Sequence, residues 1–197
     1  MKMNSEGHQD HLPRLERHKY QGYAVVHWTQ TLENRAQGWL NELFHQKCRE
    51  LILHACVRES LYCPAYCLLP DHAHLVWMGL RRTSDQLNAM KFLRKYLNPL
   101  FAPHELQHQA CDRVLREDMR RRGVFAKIWF YVLENPVRAS LVEQARDWPF
   151  LGCVVPGYPD LRPFEENFWE LFWKLHTKYR EAELPTPPAS PLGESPR

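Results

Sequence analysis

The sequence predicts an α+β domain: an α/β sandwich of the ferredoxin-like split βαβ type, with an antiparallel sheet and helices, followed by a C-terminal helix and a disordered tail. Three observations predict it. The apolar pattern runs strand, helix, strand, strand, helix over the first half of the chain. The two adjacent strands are separated only by Pro70-Asp71, a turn too short for anything but an antiparallel return. The chain has 197 residues and 44% apolar content, enough for one domain with a real core plus tails.

The elements follow in order. Residues 1–19 are polar and His-rich and read as a flexible lead-in, without the apolar core of a signal peptide. Tyr23 to Thr29 is β-branched and aromatic, a first strand, and Thr31 is placed to cap a helix. Ala36, Leu40, Leu43, Leu51, Ile52 and Ala55 recur at helical spacing, with Gly38 tolerated inside. Leu61 to Leu69 is a second strand, which Pro64 marks as a sheet edge or as opening late. After the Pro70-Asp71 turn, His72-Ala-His74-Leu-Val-Trp-Met78 is a third, buried strand.

Thr83-x-x-Gln86 reads as a capping box opening a helix with Leu87, Met90, Leu93 and Leu97 on its core stripe and Lys91, Arg94 and Lys95 outside. Asn98-Pro99 stops it. Residues 99–111 form a polar connection, and the charged run Asp112 to Arg122 reads as a solvated helix face. After Gly123, Phe125, Ile128, Trp129 and Val132 mark a packed helix that ends at Asn135-Pro136. Residues 140–164 are loop-rich, and Glu166 to Tyr179 is a last amphipathic helix. These features divide the chain into a lead-in (1–19), a main domain (20–152), a C-terminal loop and helix (153–180) and a disordered tail (181–197) rich in Pro, Ser and Gly.

Composition limits the function. A net charge of +3 permits nucleic-acid binding without requiring it. No apolar run reaches bilayer length, so no membrane partner is expected. The six cysteines match no common zinc spacing and read as reduced thiols of a cytoplasmic protein.

Two constellations carry chemistry. Side chains alternate along a strand, so His72 and His74 project from one face, where two imidazoles can hold one divalent metal. On its own, such a pair is equally a polar strand face. Tyr131 and Asn135 are one helical turn apart, on a stripe flanking the core face. On its own, Tyr131 is equally a rim tyrosine with its hydroxyl in water.

Taken in order, Pro70-Asp-His72-Ala-His74-Leu-Val, Lys91, Asp112-Arg-Val-Leu-Arg116-Glu and Tyr131-Val-Leu-Glu-Asn135-Pro-Val-Arg138-Ala resemble the single-tyrosine transposases of the HUH superfamily, closest to their REP-associated branch. The resemblance covers about residues 20 to 150. It implies cleavage and rejoining of single-stranded DNA, as hairpin or repeat elements, through a 5′-phosphotyrosine link. It implies Tyr131 as nucleophile, His72 and His74 as catalytic metal ligands and Asn135 as a third ligand, with Mg²⁺ or Mn²⁺ as the ion. Lys91, Arg94, Lys95, Arg113, Arg116, Lys127 and Arg138 are the expected DNA contacts. Relatives of this kind act as monomers or homodimers. Three positions depart from the pattern: Ser140 stands where glycine is usual, Cys111 where an aromatic precedes Asp112, and His108-Gln109 where a Trp-Gln pair is common.

The chemistry is coherent in itself. A tyrosine hydroxyl, with a pKa near 10, is a weak nucleophile at neutral pH, and a metal on a phosphate oxygen compensates by neutralising charge in the transition state. A phosphotyrosine link conserves phosphodiester energy, so no nucleotide hydrolysis is needed, and the sequence has no P-loop. A domesticated DNA-binding or hairpin-processing protein, and a metal nuclease that uses water, are the alternatives.

Overall fold

The computed structural model describes residues 14–181. Of the tail expected to be disordered (181–197), Glu181 ends the last helix and 182–197 lie outside the described residues, as do residues 1–13. Five strands form one antiparallel sheet in the order β4-β1-β3-β2-β5: β1 (Val25–Thr31), β2 (Leu61–Leu69), β3 (His72–Gly79), β4 (Cys111–Leu115) and β5 (Leu151–Val154). The first four give the split βαβ arrangement, in which β3 lies between β1 and β2 and runs against both. β5 extends the sheet beyond β2.

Helices cover both faces. On one side, α1 (Glu42–Glu59) and α2 (Gln86–Leu97) pack over Val26, Trp28, Tyr66, Leu68, Leu75 and Trp77. On the other, α4 (Val124–Leu133) and α6 (Phe168–Glu181) pack over Val25, Tyr62, Cys67, Val76 and Met78. The short α3 (Glu117–Arg121) and α5 (Asn135–Arg138) flank α4. Every residue of β2 is buried in consequence, which is why its sequence is a continuous apolar run rather than an alternation. The C-terminal helix belongs to this core, since Phe168 and Phe172 are fully buried in it.

Several sequence expectations are corrected. Thr31 is the last residue of β1; α1 begins eleven positions on, capped by Asn41, whose Oδ1 accepts from the Phe44 amide at 2.9 Å. Gly38 lies outside any helix with φ +92°, and Leu43 faces solvent while Phe44, Cys48, Ile52, Ala55 and Cys56 form the buried stripe. The Thr83 capping box is replaced by Asp85, which accepts from the amides of Leu87 (3.0 Å) and Asn88 (3.1 Å). Gln86 is consumed in the core, its Oε1 accepting from Trp28 Nε1 at 3.1 Å.

Pro64 is not on an edge strand. It sits at a bulge, where the pairing shifts between Tyr62 and Ala65 on the β3 side and between Cys63 and Tyr66 on the β5 side. The charged run begins as the edge strand β4, and the 140–164 loop contains the edge strand β5. The described end of the lead-in packs on the domain, with Arg17–Tyr20 as a 3-10 turn; Tyr20 is fully buried and Arg17 binds Asp85 at 2.8 Å. The six cysteines are unpaired, and all but Cys111 are buried.

Candidate functional site

The site grows from the pairing of β1 with β3. Thr29 lies opposite His74, Thr31 opposite His72 and His27 opposite Val76. Even-numbered residues of β3 and odd-numbered residues of β1 therefore share the face that carries α4 and α6. Towards one end of the strands this face is apolar, through Val25, Val76 and Met78. Towards the other it is a cluster of three imidazoles.

His72 is oriented from behind. Its Nδ1 lies 2.6 Å from Asp71 Oδ1, and Arg35 holds the other carboxylate oxygen at 3.0 Å. Desolvation works to raise the Asp71 pKa, but the hydrogen bonds from His72 and Arg35 outweigh it and hold the carboxyl below its ordinary range. An ionised Asp71 can accept the Nδ1 proton, the carboxylate–histidine arrangement common behind metal ligands.

His74 is held in the same sense. Its Nδ1 lies 3.1 Å from both Thr29 Oγ1 and His27 Nε2, and its Nε2 lies 3.2 Å from His72 Nε2. With Nδ1 engaged by β1, His74 presents Nε2 to His72. Burial lowers the pKa of His74 to about 3, with His27 and His72 adding to the shift, and lowers that of His27 to about 4, with Arg113 adding. Both rings are neutral at physiological pH, the form that binds metals.

This donor set fits a divalent ion. Two nitrogens 3.2 Å apart subtend about 100° at an ion about 2.1 Å from each, between octahedral and tetrahedral values. Two ring nitrogens at that distance can share a proton or a cation. Among the described residues no group of three His, Cys, Asp or Glu is arranged to hold an ion.

Asn135, expected as a third ligand, bonds within its own helical segment. Its Nδ2 donates to the carbonyls of Tyr131 (2.8 Å) and Val132 (3.4 Å), which turns the nitrogen towards the helix and the oxygen away from it. The side chain is buried at the junction of α4 and α5, where Pro136 interrupts the helical ladder.

Tyr131 closes the group. Phe125, Ile128, Trp129 and Val132 bury α4 on the sheet, and Trp129 Nε1 donates to the Pro64 carbonyl at 2.9 Å. This packing leaves Tyr131 on the rim, 39% exposed. Its ring stands edge-on to His27 (5.9 Å between centroids) and to His74 (5.8 Å). Tyr131 and His74, distant in sequence, therefore meet, with His27 alongside.

The expected DNA contacts separate into two groups. Arg138 lies over the Tyr131 ring at 5.2 Å, Lys127 is exposed one turn before it, and Arg113 projects from β4 on the same face as His27. Arg116 follows β4, with Asp118 3.6 Å away. Lys91, Arg94 and Lys95 lie on α2, across the sheet from the imidazoles. Arg94 is engaged structurally, donating to Gln30 Oε1 and the Gln107 and His108 carbonyls.

His27, Thr29, Asp71 and Arg35 are the members that sequence reasoning missed. His27 sits behind His74, on the Nδ1 side of that ring, so it supports the pair rather than extending it. Its parity with Val25 was readable, but its position beside His74 depends on the register between two strands separated by a helix and another strand.

No family model matches the chain, and no curated protein is similar to it. Among solved structures it matches a REP-associated tyrosine transposase bound to a REP hairpin, with a TM-score of 0.59 and 22% identity over 73% of this chain and 82% of that one. The chain has the fold of that transposase.

Proposed function

We propose that the protein is a metal-dependent tyrosine transposase-like enzyme that cleaves and rejoins single-stranded DNA in hairpin or repeat elements. The observation that carries this reading is the meeting of Tyr131 with His74, whose Nε2 lies 3.2 Å from that of His72. His72, His74 and Asn135 would hold a Mg²⁺ or Mn²⁺ ion. Such an ion supplies electrophilic activation of a phosphate and neutralises its developing charge.

The protein's own groups orient the reaction. Asp71 and Thr29 fix the ring nitrogens that face the substrate. Arg138 and Lys127, either side of Tyr131, attract the phosphate. The phenol oxygen bonds to phosphorus as the bond to the 3′-oxygen breaks; the phenol gives up its proton and the departing oxygen takes one up. The 5′-phosphotyrosine retains the energy of the broken bond, so the freed 3′-hydroxyl can reverse the step. Exposed Tyr131 is accessible to a strand without unfolding of the site.

The test is incubation with a single-stranded hairpin DNA and a divalent ion, followed by denaturing electrophoresis. A covalent protein–DNA adduct is expected with the wild type and none with Tyr131→Phe, which keeps packing and DNA binding. Cleavage without an adduct would identify a water-using nuclease. Binding without cleavage, in the presence of the ion, would identify a binding or hairpin-processing role.

A further inference from the structure

The sheet face opposite the imidazoles carries a cleft that the strand-cleavage chemistry does not use. It lies between the N-terminal half of α1 and the β5 edge and has a volume of about 450 Å³, within the range of small-ligand sites. Arg49 comes from α1, Arg146 from the segment before β5 and Arg162 from the segment after it. Three separate stretches of chain thus bring guanidinium groups to one cavity.

The charges are unbalanced. Glu42 is the only carboxylate among the described lining residues, and no ion pair forms to any of the three arginines among the described residues. Arg49 and Arg162 both donate to the Pro159 carbonyl, at 2.8 and 3.1 Å. That shared acceptor holds two like charges side by side, an arrangement that an anion stabilises.

A second observation is independent of charge. His45 lines the cleft, and its Nε2 lies 2.9 Å from the Tyr66 hydroxyl. Its Nδ1 is buried without a hydrogen-bond partner, since Glu42 Oε2 is 3.9 Å away. A buried polar atom left unpaired at the wall of a cleft is what a ligand group would satisfy. Trp148, fixed by its Nε1 bond to the Leu68 carbonyl at 2.8 Å, and exposed Phe164 add flat apolar surfaces.

We propose that this cleft binds a nucleoside phosphate, with the phosphate on the arginines and the base against Trp148 and Phe164. Guanidinium forks match phosphate oxygens and aromatic faces accept any base, which together suit a nucleotide better than a simple carboxylate. The source rests on the strand-cleavage reading: an unpaired nucleotide of the DNA held at the other face. A free nucleotide presents the same chemistry, and the experiment separates the two.

Arg146 and Arg162 are exposed, so their replacement leaves the fold in place. The full chain and its Arg146→Ala/Arg162→Ala variant are compared in two assays. In the first, fluorescence anisotropy reads binding of a hairpin with a single-stranded extension and of the same hairpin trimmed. Roughly tenfold weaker binding of the extended hairpin alone, with a salt slope shallower by about 0.7 for each phosphate no longer held, supports the proposal with the strand as source. In the second, deoxyadenosine monophosphate is titrated while backbone amide shifts of His45 and Gly152 are followed. Shifts in the wild type that vanish in the variant, with strand binding unchanged, support a free nucleotide. Unchanged strand affinity and salt slope, together with no wild-type response to the nucleotide or one that the variant retains, would overturn it. Absence of a Tyr131 adduct with every strand tried would sink the strand-cleavage reading alone, because the nucleotide titration does not depend on it.

Discussion

Strands β1 and β3 have two faces with opposite fates. Towards α1 and α2, Trp28 and Trp77 meet at 6.4 Å between centroids, both fully buried, with Gln86 and Tyr20 closing the space around them. Towards α4, the intervening residues are His27, Thr29, His72 and His74, engaged with one another and, apart from buried His74, partly open to solvent. The same two backbones build a sealed aromatic core and a polar site one residue out of phase. Packing of large rings on one side fixes the strand positions, and the imidazoles on the other inherit that precision.

The comparison breaks first at the tryptophans. Trp28→Ala is expected to cost about 3–5 kcal/mol in urea unfolding, because it empties a large buried volume. His74→Ala is expected to leave the unfolding midpoint near that of the wild type while lowering adduct yield by at least about a hundredfold, as for lost metal ligation. Equal stability losses at the two positions would show that the faces are not functionally distinct.

Acid should act through the buried imidazoles of the polar face. His27 and His74 have pKa values near 4 and 3 in the folded state against 6.5 when unfolded. Below pH 6.5 the unfolded chain takes up protons that the folded chain refuses. Their contribution to stability is therefore complete above about pH 6.5 and is lost progressively as the pH falls towards 4 and then 3. His27→Gln is expected to flatten the stability profile across that window. A profile identical to the wild type would place the acid sensitivity elsewhere.

A finer distinction lies within the sealed face. Trp28 Nε1 donates to Gln86, whereas Trp77 Nε1 is buried without a partner among the described residues. Trp28→Phe orphans a buried amide oxygen, at about 1–3 kcal/mol; Trp77→Phe removes an orphan and is expected to cost less, despite the similar loss of volume. Denaturant midpoints of the two variants rank them directly.

The smallest expected effect lies beside the site. Ser140 has φ +56°, a left-handed conformation costing a non-glycine residue roughly 1–2 kcal/mol. Ser140→Gly is expected to raise stability by up to about 1 kcal/mol, the entropy of the unfolded glycine offsetting part of the gain. A lower melting temperature would show that the serine is held by interactions worth more than its strain.

Much of the fold was legible because its elements are long and their patterns strong. The Leu61–Leu69 strand and the α4 stripe were read directly from apolar spacing. What escaped reading was set by tertiary context. β4 is a five-residue edge strand whose alternation, Asp112-Arg113-Val114, is masked by charges on both faces. β5 has four residues inside a proline-rich stretch. Asp85 takes the cap from Thr83 because Gln86, the expected partner in the box, is drawn into the core by Trp28. For the site, sequence parity placed His72 and His74 together and helix spacing placed Tyr131 with Asn135. Bringing Tyr131 to His74, and adding His27 and Arg35, required strand register and helix docking, which no local pattern encodes. The α2 cations show the converse: their charge was legible, but not that α2 covers the far side of the sheet.

The bulge at Pro64 has a consequence for tolerance to insertion. A proline there withdraws one donor from the ladder, and the local shift in pairing leaves its carbonyl to accept from Trp129. An irregularity in one layer thereby becomes the locating pin of the next. Tyr131 lies two residues along the helix from that pin, and one added residue between them would advance the phenol by about 1.5 Å and swing it by about 100°. Length variation before Gly123 leaves this distance untouched. The charged connection can vary in length without moving this distance, whereas the two residues that join a strand defect to the tyrosine have no slack.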